Sequence, residues 1–487
     1  MRRTTRSRTP YQDGYYQDSF LSSPAQQMYV PKKRRSPILP LVLVTLCLCV
    51  VGIGGFLLLG GQSSDSRPDD QGRQDPQNQQ LLISDVVDPS SGSSSSGLFS
   101  NKLAGSTETV DENGIVHGTT PSGINYVVRG RGELAYQSDR VTLAAIGDQI
   151  VSEDCLNLAS RNYQESGNGN GYDFAPWYQE IGPYCRQFDL RFVNPETVTC
   201  DPDVQTPTGW PSFISPDSAV DNLADQGFNI FNFASNHVYD WGTDAIERTH
   251  REEFSKYPQV TIVGSYLSEE DAQTVQMIER NGITFAFLAY TYADNTYYTD
   301  YHDMPNYYYD RPFDYETIQA DVTRAREVAD VVIVCMHWGT EYVSEPNAQQ
   351  YQWAEYLADM DVDLVIGTHA HIMQPVKYVT GPETGNTIPV VFGLSDVVSG
   401  WTITDTILSA VFTCDFVPQA DGTITVENLV WHPTIEWSDG GQVYVRFLSG
   451  MSEAEINANT RTPDVSDDYT YLSNMVYGLI QEIEVDW

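Results

Sequence analysis

Beyond its first residues this sequence is poor in positive charge. Eight of the 27 Lys and Arg lie within residues 1–35, and the remainder sets 19 basic residues against 64 acidic ones, a net charge near −45. A surface of that sign repels nucleic acid and other polyanions unless cations mediate the contact. No nucleic-acid partner is expected, and the excess is read chiefly as a solubility device. Cysteine is also scarce. There are seven, two of them inside an apolar run (Cys47 and Cys49), and none has zinc-motif spacing. Cys155, Cys185 and Cys200 cluster in loop-like sequence where one disulfide could form, while Cys335 sits in the apolar run VVIVCMHW and reads as a buried thiol. Histidine is rarer than either charge class, with eight in 487 residues, and the chain has no internal repeat.

One stretch lacks charge altogether. Residues 36–64, SPILPLVLVTLCLCVVGIGGFLLLGGQSS, are long enough as a helix to cross a hydrocarbon core of about 30 Å. Lys32, Lys33, Arg34 and Arg35 abut its N-terminal side, which predicts that this side stays in the cytoplasm and the rest lies outside. A cleaved signal peptide would have a shorter basic segment and a small-residue cleavage site. The layout expected is a basic cytoplasmic segment (1–36), a single transmembrane helix (37–61), a flexible extracellular stalk (62–139), a folded domain (140–449) and a C-terminal tail with a helix (450–487). The stalk rests on DPSSGSSSSG and its surroundings, which hold too little apolar surface to offset the entropy of ordering. Within 101–139, INYVVRG has the composition of a short strand.

From RVTLAAIGD (140–148) onward, apolar β-branched runs alternate with helical patterns. Interior strands are expected at 228–236, 259–265, 284–292, 330–339, 362–371 and 388–395, β-branched or aromatic runs that stop at Gly, Asn or His. Helices are expected at 215–226, 242–256, 268–280, 314–328 and 347–360, with Ser215–Pro216 and Asn347 as start signals. Closing strands follow in AVFTCDF, TITVENLVWHPT and QVYVRFL, then a helix in 466–484. The pattern implies a layered α/β (α+β) domain with largely parallel central sheets flanked by helices. The tyrosine-crowded stretch 290–315 reads as a self-packed loop or a polymer-binding surface.

In parallel sheets, functional groups collect at the C-terminal strand ends. Those ends carry Asp148, Asn236 with His237, His337, and His369 with His371, so half of the histidines fall at three such places. The segment FNFASNHVYDWG (231–242) is the plainest case, an apolar strand breaking into Ser235, Asn236 and His237 with Asp240 just beyond. A lone histidine after a strand is usually a satisfied structural residue. Four at strand ends fit imidazole ligation of a metal, completed by carboxylate and amide oxygens.

The motifs AAIGDQI, VNPET (193–197), ASNHVYDWG (234–242), FLAYTYADN (287–295), HWGTEYVSEP (337–346) and IGTHAHIMQP (366–375) together resemble the CapA family of bacterial poly-γ-glutamate capsule synthesis proteins. The resemblance covers roughly 140–400 and implies a fold similar to calcineurin-like metallophosphatases. It further implies a metal centre of Asp148, Glu196, Asn236, His237, His337, His369 and His371 holding two divalent ions such as Mn, Fe or Zn. His237, His337 and Glu341 would be the catalytic residues, Glu341 by hydrogen-bonding His337 or substrate, and Asp240 would steady the turn. Two departures stand out. Metallophosphatases open with Asp-x-His, whereas Asp148 is followed by Gln149 and Ile150, and GLSDVV (393–398) places Asp396 where the family usually has Asn. Two functions follow as expectations: a membrane-anchored extracellular metal-dependent phosphoesterase, or a non-catalytic accessory subunit of capsule synthase or export machinery. The ligand would be an anionic polymer or a phosphate ester.

Overall fold

The computed structural model describes residues 102–292, 295, 313–401, 404–438, 440–461 and 469–487. Two nine-stranded sheets face each other. The first runs, in spatial order, Thr107–Val110, Val116–Thr119, Asn125–Arg129, Val275–Arg280, Ile283–Thr291, Val331–His337, Leu364–Thr368, Thr387–Leu394 and Met373–Thr380. The second runs Tyr444–Phe447, Ile424–Trp437, Leu408–Pro418, Val141–Gln149, Leu190–Pro195, Ile230–Asn232 and Thr261–Val263. Asp396–Val398 pairs beside Val141–Gln149, and Glu484–Val485 beside Ile424–Trp437.

Each sheet has a parallel heart, from Ile283–Thr291 to Thr387–Leu394 in the first and from Val141–Gln149 to Thr261–Val263 in the second. Strands covered on both faces need apolar residues at every position, and all seven residues of Val331–His337 are buried. Ile333 and Cys335 point into the core between the sheets with Leu143, Phe192 and Phe412, while Val332 and Val334 pack under the outer helices. Those helices, Tyr315–Val328 and Ala348–Asp359, contribute Ile318, Val322, Ala325, Trp353 and Leu357. Burying such a side chain stabilises by about 1.5–3 kcal/mol for the larger aliphatic and aromatic residues. Asn347 starts the second of these helices as expected, accepting from Gln350 N while Gln350 accepts from Asn347 N. The second sheet is covered on its outer face by Glu153–Ser166 and Asp217–Asp225.

Several expectations need correction. The helix expected over 268–280 is confined to Glu269–Gln273, and Val275–Arg280 is instead a central strand. It pairs with Ile283–Thr291 through the Asn281–Gly282 turn, where both residues have positive φ (54° and 77°), the conformation of a primed hairpin turn. The described part of the expected stalk, from 102 onward, is built into the first sheet. Asn125–Arg129 pairs parallel with Val275–Arg280, burying Tyr126 and Val128. The C-terminal helix, Tyr469–Leu479, is likewise no detached tail, because Leu472, Val476 and Ile480 join the inter-sheet core. The five described cysteines are free and buried. Cys155 and Cys185 pack in the outer core of the second sheet and Cys200 in a separate cluster with Val198 and Val238, so no disulfide joins them. The proposed transmembrane segment 37–61 and most of the tyrosine-rich stretch lie outside the described residues. Among the described residues no helix is long and apolar enough to cross a membrane.

Candidate metal centre

The C-terminal ends of the two parallel hearts meet at one place. Val141–Gln149 delivers Asp148, fully buried. Its Oδ1 accepts from Asn194 Nδ2 at 2.6 Å and its Oδ2 from the backbone N–H of His369 at 2.9 Å, which ties the second sheet to the first. The approach depends on Gly147, where a Cβ would lie 1.8 Å from Ser395 O. Glu196 follows Leu190–Pro195, and Asn236 and His237 follow Ile230–Asn232. His337 ends its strand, with Nε2 2.8 Å from Asn236 Oδ1 and Nδ1 2.9 Å from Thr368 Oγ1. His369 and His371 lie just past Leu364–Thr368 with φ of 89° and 59°, and Ser395 has φ of 70°. A non-glycine residue held there costs about 1–3 kcal/mol, a strain often found at functional sites.

Several buried polar atoms of this cluster lack partners. Both carboxylate oxygens of Glu196 and both ring nitrogens of His369 are buried with no hydrogen-bond partner, and so is Asp396 Oδ2. Glu196 Oε1 lies 3.5 Å from His337 Nε2. Donor atoms of Glu196, His369 and His371 lie within 4.8 Å of one another, and those of Asp148, His371 and Asp396 do the same. Asp396 also accepts from, or pairs with, His371 Nδ1 at 2.9 Å.

The electrostatics match a site short of positive charge. Burial, reinforced by Glu196, pushes Asp148 well above the usual carboxylate range. Burial likewise raises Asp396 to about 7, although His371 opposes it. Burial would raise Glu196 too, but the imidazoles of His371 and His337 outweigh it and hold it at about 2. Burial and the neighbouring rings of His337 and His371 push His369 far down, leaving it neutral and able to ligate. His371 is driven the other way, against burial, by Asp396 and Glu196.

Of the residues expected at the site, Asp148, Glu196, Asn236, His337, His369 and His371 are brought together. His237 stands at the margin, 7% exposed. Its Nδ1 is 2.7 Å from Asp240 Oδ2, whose carboxylate also accepts from Phe213 N at 2.8 Å. Asp240 thus steadies both the ring and the adjoining loop. Glu341 is half-buried. The two nitrogens of His337 already face Thr368 and Asn236, so the expected Glu341–His337 hydrogen bond is not made. The residues that sequence reading left out of the ligand set are Asp396, Asn194 and Thr368. The unusual acid at 396 was the available signal for the first; the other two lie in ordinary strand sequence.

The carboxylate, amide and imidazole donors suit Mn, Fe or Zn, and the orphaned oxygens and nitrogens fit such an ion. The molecule is therefore a layered α/β protein with a metal-type ligand cluster at its strand ends. A family model described as "Bacterial capsule synthesis protein PGA_cap" matches residues 142–400, more than half of the chain, and the chain belongs to that family, the CapA family. It is 29% identical over 280 residues to "PGA biosynthesis protein CapA" of Bacillus subtilis (strain 168), covering 55% of this chain and 66% of that one. It is 22% identical over 245 residues to "Capsule biosynthesis protein CapA" of Bacillus anthracis, covering 49% and 56%. The matched region thus spans just under two thirds of the first relative and just over half of the second. The solved NAD nucleotidase of Haemophilus influenzae is similar with a TM-score of 0.35 and 10% identity, covering 70% of this chain and 66% of that one. That likeness is too distant to bear on function.

Proposed function

We propose that this chain is a membrane-anchored, extracellular capsule-biosynthesis protein whose strand-end cluster binds divalent metal, two ions by the donor count, and hydrolyses a phosphate ester. The observation that carries the reading is the set of buried, unpartnered atoms on Glu196, His369 and Asp396, since native proteins rarely leave such groups unpaired. Asp148, Glu196, Asn236, His337, His369, His371 and Asp396 would hold the metal. Divalent metal bound there supplies Lewis acidity toward a phosphoryl oxygen. His237, fixed through Nδ1 by Asp240, would use its other nitrogen, which lies 3.3 Å from Asn295 Nδ2, for proton transfer at the leaving oxygen. The charge-free run 36–64 with its basic flank supports the anchor and the external placement of the domain.

A second reading is a non-catalytic accessory subunit of the capsule synthase or export machinery. It is supported by Glu341, which makes no hydrogen bond to His337, whose two nitrogens face Thr368 and Asn236. Direct holding of an anionic polymer is disfavoured by the external charge near −45 unless metal bridges the contact. Elemental analysis of the purified full chain, paired with phosphomonoester and phosphodiester hydrolysis assays, separates the readings. Metal in the parent that disappears in His369→Ala, together with turnover, is the expected result. A parent protein free of divalent metal after metal-replete purification would sink the metal site and the phosphoesterase reading with it, and metal without turnover would select the accessory role.

A further inference from the structure

A second cavity lies away from the metal cluster and shares no residue with it. It holds about 210 Å³ and is lined by residues including Arg129, His250, Ser265, Asp271 and Gln276. At about 30 Å³ per water in the liquid, that is room for roughly seven waters or a ligand of similar heavy-atom count. The cavity exists because the N-terminal meander joins the sandwich. Arg129 ends Asn125–Arg129, Gln276 lies on the neighbouring Val275–Arg280, and His250 comes from Thr249–Glu253, a π-helical turn. Such turns are rare and concentrate at functional sites. Phe254, Tyr257 and Ile262 supply an apolar wall.

Arg129 is the unusual occupant. Its Nε donates to Pro258 O at 3.0 Å and its Nη1 to Gln276 Oε1 at 2.9 Å, both uncharged acceptors. Among the described residues no carboxylate comes within ion-pair distance of it, and Nη2 has no acceptor. Burial lowers the guanidinium to about 10, so it keeps its charge at neutral pH. A largely desolvated cation with no carboxylate in direct contact is costly. The charges of Asp111 and Asp271 offset part of that cost from beyond ion-pair distance, but no group facing the cavity pairs with the guanidinium directly. Burial holds His250 at about 4, so it is neutral, with Nε2 2.8 Å from Ser265 Oγ. Asp271 Oδ2 is taken by the N–H of Leu267, and Asp111 is bound to Asn113 N and Ile115 N.

We propose that this cavity binds a small organic molecule through a single carboxylate, paired with Arg129 Nη2, with Gln276 and Ser265 as hydrogen-bonding neighbours and the apolar wall covering the ligand's body. Arg129 is the cationic side chain of the lining and Asp271 its carboxylate, so the cavity favours a ligand that brings little further negative charge. A phosphate dianion would add two negative charges beside Asp271 where a carboxylate adds one, which makes the carboxylate the better fit. The assignment does not depend on the metal-centre reading.

Saturation-transfer NMR on the full chain tests it, with acetate, propionate and benzoate as probes, inorganic phosphate as the competing anion and benzamide as the uncharged control. The parent is expected to bind propionate and benzoate, with phosphate weaker and benzamide silent. Arg129→Met should weaken carboxylate binding by at least about tenfold, the scale of one lost charge-assisted pair. Gln276→Glu is the more telling variant. It is isosteric, sets a carboxylate against Arg129 Nη1, and is expected to abolish binding while raising the melting temperature, so misfolding cannot explain the loss. His369→Ala should leave binding intact, because a carboxylate held by the metal centre would vanish there instead. Absence of carboxylate binding in the parent, tighter phosphate than carboxylate binding, or binding unchanged in Gln276→Glu would each overturn the proposal.

Discussion

The two ends of the same parallel strands treat buried polar groups in opposite ways. At the N-terminal ends Asp189 is 3% exposed and fully engaged. Its Oδ2 accepts from Thr142 N and Oγ1, its Oδ1 from Tyr136 N, and its carbonyl from Asn229 Nδ2. Asn229 in turn accepts from Arg191 N. In the first sheet Asp330 accepts from both Thr284 N and Oγ1, each at 2.9 Å. At the C-terminal ends the side chains of Glu196 and His369, also buried, have no hydrogen-bond partners. A closed polar network rigidifies a fold, whereas an open one carries the desolvation cost with nothing in return unless a ligand completes it. The first kind explains itself structurally; the second calls for a cation.

The largest test of this contrast is the ion itself. His369→Ala should lower bound divalent metal at least about tenfold, no less than the loss typical of outer partners. Chelation of the parent should lower its melting temperature, by the equivalent of about 2.7 kcal/mol if metal had been present at a hundredfold its Kd. Elemental analysis and calorimetry check both. At the closed end, Asp189→Ala should cost about 3 kcal/mol in a denaturant titration, because it strands the N–H groups of Thr142 and Tyr136. Metal content per folded molecule should not change. Equal metal loss in the two variants would erase the distinction between the ends.

A partnered imidazole sharpens the comparison further. His250 is held at about 4 by burial, below its unfolded value of 6.5. The unfolded chain therefore takes up a proton first as pH falls, and stability is lost between about pH 6.5 and 4. From pH 7 to pH 5 the loss from this one group is about 2 kcal/mol. A His250→Gln variant, compared with the parent by denaturation at both pH values, should show a correspondingly shallower decline. The smallest effect is expected of Asp396→Asn, which keeps the side chain's shape. Metal-free stability should move by less than about 1 kcal/mol while one ion equivalent is lost. Unchanged ion content would remove Asp396 from the ligand set.

The legibility of the fold followed burial on both faces. Val331–His337 and Leu364–Thr368 could be read because a strand covered on two sides must be apolar throughout. Val275–Arg280 was misread because Gln276 and Glu279 interrupt it with polar residues that face Arg129 and the N–H of Gly132. The Asn281–Gly282 dipeptide was the overlooked sign of a hairpin. Within 107–129 the strand Asn125–Arg129 was anticipated in INYVVRG, while Thr107–Val110 and Val116–Thr119 were hidden for a different reason. They extend the edge of a sheet, and Thr107–Val110 is exposed at every position, so little apolar pattern is needed there. At the site, the histidines were legible because imidazole at a strand end is uncommon. Glu341 was legible as part of a motif, yet the chain does not bring it onto His337.

By itself the sequence determined the chemistry on offer: an acidic domain with few cations, apolar strands ending in Asp, Asn and His, and a family signature across them. Only the tertiary structure decided which of those groups meet. The Asn236–His337 contact spans 101 residues and the Asp148–His369 bond 221, each joining the two sheets. Local patterning governs which way a strand's own side chains point. Which carboxylate comes to face which imidazole depends on strand order and on the packing of one sheet against the other. That packing leaves the side chains of Glu196 and His369 without hydrogen-bond partners and places Asp396 against His371.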